Sequence, residues 1–281
     1  MHNHGACRIS PETIAIRIVR APIFALLIGL FVCGPVWAAE RLGVVLLHGK
    51  DGRPETLATL AEAMAAQGFA IERPELCWSH QRIYDRPYPE CLDDIGVAVE
   101  RLTSRGVAAV VVAGMSLGAN GALAYAAKHG GLKGVIAIAP GHYPEFIGRR
   151  PEVAQDLAKA RTMIAEGHGD ATATFTDVNA AHTLFKFSVT TTPRIYLSFM
   201  ASDSAAVMPN NAARLNVPLL LVAGTGDTVQ RGRGYIFERA PPHPLNRYVT
   251  VDTDHIGTLA AAREPMIEWL KLLDTSADRV D

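Results

Sequence analysis

Val107-Ala108-Ala109-Val110-Val111-Val112-Ala113-Gly114-Met115-Ser116-Leu117-Gly118 is the stretch on which the fold turns. It opens as a continuous apolar run rich in β-branched side chains, the pattern of a strand buried on both faces of a parallel sheet. Ala119 to His129 follows, dominated by alanine and leucine and closed by Gly130-Gly131, which predicts a helix and its stop. Between strand and helix stands Ser116, with Gly114 and Gly118 on either side. A turn this tight strains its central residue, and a side chain at either glycine would crowd the serine backbone. The hydroxyl is lifted above the strand end, beside a helix N-terminus that favours developing negative charge.

Outward from this turn, strand and helix signals alternate. Gly43 to Leu47 is a short apolar strand running into His48-Gly49-Lys50-Asp51-Gly52. Pro54 to Gln67 reads as an amphipathic helix, Phe69-Ala70-Ile71 as a weak strand, and Glu90 to Arg105 as a helix with Leu92, Ile95, Val99 and Leu102 at helical spacing. Val135 to Ala139 is a strand ending at Pro140-Gly141-His142; Val217 to Ala223 and Leu245 to Val251 are two more, and Leu259 to Leu273 is the last helix. This rhythm predicts an α/β fold, a mostly parallel sheet with helices on both faces. It breaks between residues 143 and 216, where Pro151 to Glu166 and Arg194 to Met200 are helix-prone and Phe175 to Pro193 is ambiguous. That segment reads as a small helical cap inserted over the strand ends, without a long apolar core of its own.

With 281 residues, a net charge of −1, 49% hydrophobic and 20% charged residues, the chain has no basic surface for nucleic acid and no acidic tail. Its N-terminus is distinctive. Arg8, Arg17 and Arg20 precede the apolar run Ala21 to Cys33, followed by Gly34-Pro35 and Val36-Trp37-Ala38. This is the layout of a secretory signal peptide over residues 1–38, leaving residues 39–281 as one domain in the periplasm or the medium, with no stable membrane span after cleavage. An uncleaved N-terminal membrane anchor is the alternative, since the stretch Ala21 to Ala39 is just long enough to span. Cleavage removes Cys7 and Cys33 and leaves Cys77 and Cys91 as an even pair in an oxidising compartment. A disulfide between them would close a loop of about fifteen residues and contribute about 3 kcal/mol; two unpaired thiols are the other reading.

A serine hydroxyl is a poor nucleophile until a base takes its proton, and the base needs a carboxylate to hold its tautomer. After Ser116, the strand ending at Ala223 runs into Gly224-Thr225-Gly226-Asp227, and the next strand into Asp252-Thr253-Asp254-His255. The expected constellation is Ser116 as nucleophile, His255 as base and Asp227 as its orienting carboxylate, all at carboxyl ends of predicted strands. Asp252 and Asp254 are nearby carboxylates that could serve instead. Oxyanion donors are expected at the backbone N–H of Leu117 and, after the first strand, of Lys50 or Asp51. His48 reads as a residue shaping that loop. Met115, His142 and Tyr143 are candidates for the substrate pocket, although His142 and Tyr143 could equally be satisfied loop residues. Phe175, Phe185, Phe187, Tyr196, Phe199 and Met200 are candidates for an acyl pocket or for plain core. Trp78, His80, Arg82 and Tyr84 lie on a loop that could face a polar or carboxylate-bearing substrate.

Leu46-Leu47-His48-Gly49, Gly114-Met115-Ser116-Leu117-Gly118, Gly226-Asp227 and Asp254-His255, in this order, resemble the α/β-hydrolase superfamily of serine esterases and lipases from Leu42 to Leu273. The resemblance implies hydrolysis of an ester, thioester, lactone or amide through an acyl-enzyme, with neither metal nor organic cofactor. The family usually carries further strands before the first one seen here, so a shortened sheet of about six strands is implied. The expectation is an exported carboxylesterase acting on a small-molecule ester. A peptidase or amidase, a lipase, and a hydrolase-fold binding protein without turnover are the rivals, and the sequence leaves the oligomeric state open.

Overall fold

The computed structural model describes residues 42–179 and 185–275; the leader expected over 1–38, with Cys7 and Cys33, lies outside the described residues. In chain order the strands are β1 (Leu42–Leu47), β2 (Ala70–Glu72), β3 (Ala109–Met115), β4 (Leu132–Ile138), β5 (Ala173–Asn179), β6 (Phe185–Thr191), β7 (Leu219–Gly224) and β8 (Arg247–Val251). The helices are α1 (Ala58–Ala65), α2 (Tyr88–Ser104), α3 (Leu117–Lys128), α4 (Pro144–Ile147), α5 (Pro151–Ala165), α6 (Pro193–Met200), α7 (Met208–Ala212), α8 (Arg233–Ile236), α9 (Gly257–Ala261) and α10 (Arg263–Thr275). The main sheet has six strands in the order β2-β1-β3-β4-β7-β8, every neighbouring pair parallel. This is the α/β-hydrolase fold. From β1 the chain goes outward to β2 and returns to β3 on the other side, so the order reverses between β1 and β3, where open α/β sheets bind ligands.

The central strands are apolar on both faces, yet their two faces feed separate cores. Val45 and Leu47 of β1 and Val110 and Val112 of β3 pack with α2 and α3; Leu42, Val44, Leu46, Val111, Ala113 and Met115 pack with α1 and α10. Alternation along each strand sends neighbouring side chains to opposite faces, so a continuous apolar run means burial on both. The β1 and β3 registers, from Leu42 opposite Ala109 to Leu47 opposite Gly114, bring both strand ends to one edge.

The inserted segment departs from the expectation of a helical cap. Beside α4 to α7 it contains an antiparallel pair, β5 and β6, separate from the main sheet. In Ala173-Thr174-Phe175-Thr176-Asp177-Val178-Asn179, Thr, Phe and Val favour strands, although the apolar alternation breaks at buried Asp177. Phe175, Val178, Val189, Tyr196, Phe199 and Met200 join the core shared with α2 and α3, so the cap has no core of its own.

Cys77 and Cys91 are disulfide-bonded, with Cα atoms 5.5 Å apart and 14 residues of separation. The enclosed loop also docks on the segment after β1. Trp78 Nε1 donates to the His48 carbonyl at 3.0 Å, the Trp78 carbonyl accepts from the Asp51 N–H at 2.9 Å, and the His80 N–H donates to the Gly52 carbonyl at 2.9 Å.

Candidate active site

Ser116 occupies the turn between β3 and α3 with φ 56° and ψ −117°, a conformation that ordinary side chains rarely adopt. Its N–H donates to the Ile138 carbonyl at 3.0 Å, and its own carbonyl accepts from the Gly141 N–H at 3.2 Å. Those bonds hold the strained residue between β3 and the loop after β4. The flanking glycines are required by contact. A Cβ on Gly114 would lie 2.2 Å from the Gly118 carbonyl oxygen, and one on Gly118 would lie 2.4 Å from the Leu47 carbonyl oxygen. Backbone cannot yield as a side-chain tip can, so both positions exclude every other residue.

Asp227 follows β7 and His255 follows β8, and both are buried. Nδ1 of His255 is 2.8 Å from Asp227 Oδ2, and Asp227 Oδ1 accepts the Val229 N–H at 2.8 Å. An ionised carboxylate accepts only, so the ring nitrogen facing it carries the proton. The other nitrogen, Nε2, is then an acceptor, and it is buried with no hydrogen-bond partner among the described residues. The two loops are joined through the backbone, Thr225 N–H to the Val251 carbonyl at 2.8 Å and Gly226 N–H to the Thr253 carbonyl at 3.0 Å. The competing carboxylates are engaged elsewhere: Asp252 accepts from the Thr225 hydroxyl at 3.0 Å, and Asp254 accepts the Gly257 N–H at 2.7 Å, at the start of α9.

Ser116 and Leu117 line a cavity of about 690 Å³ together with Lys50, His142, Tyr143, Phe146 and the residues after Asp227, Thr228 and Val229. Leu117 is the first residue of α3, where a helix has no internal acceptor for its N–H. Of the two backbone donors expected after β1, Asp51 is committed to Trp78, which leaves Lys50. The Lys50 ammonium donates to both Asp177 carboxylate oxygens at 2.7 and 2.8 Å and to the Val178 carbonyl at 3.1 Å. The Tyr84 hydroxyl donates to the same carboxylate at 2.6 Å, so β5, the loop after β1 and the disulfide loop meet at one buried charge pair. His48 is fully buried; the Leu76 N–H donates to its Nε2 at 3.3 Å, its Nδ1 lies 2.9 Å from the Gly49 carbonyl, and burial lowers its pKa. It shapes the loop, as read from the sequence.

The pocket differs in detail from the sequence reading. His142 and Tyr143 do line the cavity, and both also make buried bonds: His142 Nε2 lies 2.9 Å from the Phe199 carbonyl, and the Tyr143 hydroxyl donates to the Pro140 carbonyl at 2.5 Å. Met115 packs in the sheet core with α1 and α10 rather than on the cavity wall, because its place on β3 turns it to that face. Phe175 stacks on Tyr196 with ring centroids 4.5 Å apart and Phe199 on Tyr84 at 4.1 Å, so these are core residues; the side chain of Phe185 lies outside the described residues. Arg82 is tied to Asp85 and Asp94 at 2.7 and 2.9 Å, which spends its charge on the disulfide loop and α2. Sequence reasoning missed Asn120, fully buried on α3. Its amide donates to the carbonyls of His142 and Ala206 at 2.9 and 2.8 Å and accepts from the Tyr88 hydroxyl at 2.5 Å, tying the elbow helix to the cap. It also missed Phe146, Arg149, Arg150 and Arg231 as lining residues. Among the described residues no group of His, Cys, Asp and Glu gathers to hold a metal ion.

The family described as serine aminopeptidase, S33 (Hydrolase_4) matches residues 38–243. A search of curated proteins finds no significant match. Solved structures resemble the chain at low identity. A monoacylglycerol lipase from Paleococcus ferrophilus superposes with a TM-score of 0.61 at 19% identity, covering 83% of this chain and 95% of that one. A chain described with LipS and LipT, two metagenome-derived lipolytic enzymes, gives 0.60 at 18% identity over 84% and 94%. A thermostable carboxyl esterase from Bacillus coagulans gives 0.59 at 16% identity over 83% and 90%.

Proposed function

The chain belongs to the α/β-hydrolase family described as serine aminopeptidase, S33, and from that premise we propose that it is an exported serine hydrolase cleaving an ester bond of a small molecule through an acyl-enzyme. The Asp227–His255 hydrogen bond carries this reading, because it leaves Nε2 as a buried acceptor with no partner among the described residues. In the proposed reaction Ser116 Oγ attacks the ester carbonyl carbon while its proton passes to His255 Nε2, and Asp227 steadies the resulting imidazolium. The carbonyl oxygen, now an oxyanion, accepts from the backbone N–H groups of Leu117 and Lys50, each contributing about 3 kcal/mol. His255 then protonates the departing alcohol, and water repeats the sequence to release the acid. Export is supported by the leader pattern at residues 1–38 and by the Cys77–Cys91 bond, a feature of oxidising compartments.

Ester rather than peptide cleavage is favoured by two features. The neighbours named above are lipases and esterases. An aminopeptidase must hold a free α-ammonium, which calls for a carboxylate, and no Asp or Glu is among the described residues lining the cavity. Hydrolysis of p-nitrophenyl esters of graded acyl length tests the proposal. Turnover is expected with the wild type, abolished in Ser116→Ala, and far slower on the matching aminoacyl p-nitroanilides. Equal or better turnover of the anilides would make it a peptidase.

A further inference from the structure

The wall of the cavity is unusually rich in arginine. Arg149, Arg150 and Arg231 line it, and none of them has a carboxylate within ion-pair distance among the described residues. Lys50, the remaining cation of the lining, is spent on Asp177. The carboxyl group facing the arginines is that of Glu145. It accepts the Tyr235 hydroxyl, and burial raises its pKa, which weakens it as a counter-charge. Glu152, in the first turn of α5, is taken by Lys186.

Two of the arginines, Arg149 and Arg231, are exposed but lie against aromatic rings. The Arg231 guanidinium sits 4.4 Å from the centre of the Phe146 ring and 5.3 Å from that of Tyr143, and the Arg149 guanidinium sits 5.6 Å from the Phe146 ring. Stacking holds a guanidinium plane while leaving its N–H edges free to donate, which reduces the ordering cost of gripping an oxyanion. Pro151, the first residue of the fifteen-residue α5, stands on the same wall, so the positive end of that helix adds to the field.

We propose that the cavity binds an anionic oxygen group of the substrate, a carboxylate or phosphate carried on the ester, with Arg231, Arg149 and Arg150 as its ligands. The inference rests on the serine-hydrolase reading and narrows it from esters in general to charged ones. A neutral lipid-like ester would leave these cations without partners; an anionic one pairs them by charge-assisted hydrogen bonds.

The test compares 4-nitrophenyl hydrogen glutarate, which keeps a free carboxylate, with its methyl ester, which is neutral and nearly the same shape. At low ionic strength kcat/KM should favour the charged ester by about tenfold or more, as one charge-assisted bond implies. The ratio should fall as salt rises, and towards one in Arg149→Gln/Arg231→Gln. Competition by inorganic phosphate against glutarate identifies which oxyanion is preferred, either one supporting the proposal. A wild-type ratio at or below one, with the neutral ester still turned over, would overturn it; so would a ratio unmoved by both salt and substitution. Loss of turnover on both esters with Ser116 inert would instead bring down the serine-hydrolase reading, and this inference with it.

Discussion

His255 Nδ1 and Asp227 Oδ2 lie 2.8 Å apart across a span of 28 residues. The carboxylate fixes one ring nitrogen as donor and so makes the other a base. Asp227→Asn should keep the fold but favour the wrong tautomer, lowering kcat by about 10³–10⁴-fold with little change in KM. Asp254→Ala removes an acceptor at the start of α9 instead. It should cost about 1 kcal/mol in urea unfolding and leave kcat within a few-fold. Comparable losses of kcat in the two variants would mean that Asp227 has no special part.

Gly141 allows the nucleophile its position. A Cβ there would lie 2.6 Å from Ser116 Oγ, an atom that can swing away, whereas at Gly114 the clash is with backbone. Gly141→Ala should therefore fold with a nearly unchanged melting temperature yet lose ester turnover by about a hundredfold or more, the scale expected when a reacting atom is misplaced by about 1 Å. Unaltered kcat would show that the hydroxyl works from another rotamer.

Much of this was legible in the chain. Gly114, Ser116 and Gly118 announced their turn because strand, turn and helix are contiguous and the glycines follow from local sterics. Asp227 and His255 were legible by their order after strand signals. The choice among Asp227, Asp252 and Asp254 needed the hydrogen bonds, since sequence does not say which carboxylate a turn has already engaged. The β5–β6 pair was hidden because polar residues such as Asp177 interrupt the apolar alternation that marks a strand. Lys50 and Asp177, 127 residues apart, meet only through tertiary packing, and Arg149 and Arg231 reach Phe146 from separate loops.

The Lys50–Asp177 pair is buried, with side-chain exposures of 8% and 0%. Lys50→Met leaves the carboxylate with the Tyr84 hydroxyl and a backbone N–H, not a counter-charge. Breaking a buried pair this way should cost about 3–5 kcal/mol in urea unfolding, and Lys50→Met/Asp177→Asn should recover part of it. If the single and double variants are equally stable, the pair is not the clamp between cap and body.

Burial pushes His142 down to about 3, and the Lys50 ammonium adds to the shift. Its folded-state pKa is thus depressed, while the unfolded chain titrates near 6.5. Below that value the unfolded state binds a proton that the folded state refuses. His142 therefore makes folding less favourable as pH falls, by about 1.4 kcal/mol per pH unit between about 6.5 and about 3. Against the wild type, His142→Gln should show a shallower loss of urea midpoint from pH 7 to pH 4. Parallel curves would mean that the imidazole is free to protonate in the folded protein.

Whether Ser116 is the activated nucleophile is read most directly by treating the protein with a fluorophosphonate probe and mapping the adduct by peptide mass spectrometry. The account predicts a single adduct on Ser116, absent in Ser116→Ala and slowed by orders of magnitude in His255→Ala. A protein that hydrolyses esters while Ser116 stays unmodified, or that carries the adduct on another residue, would contradict it.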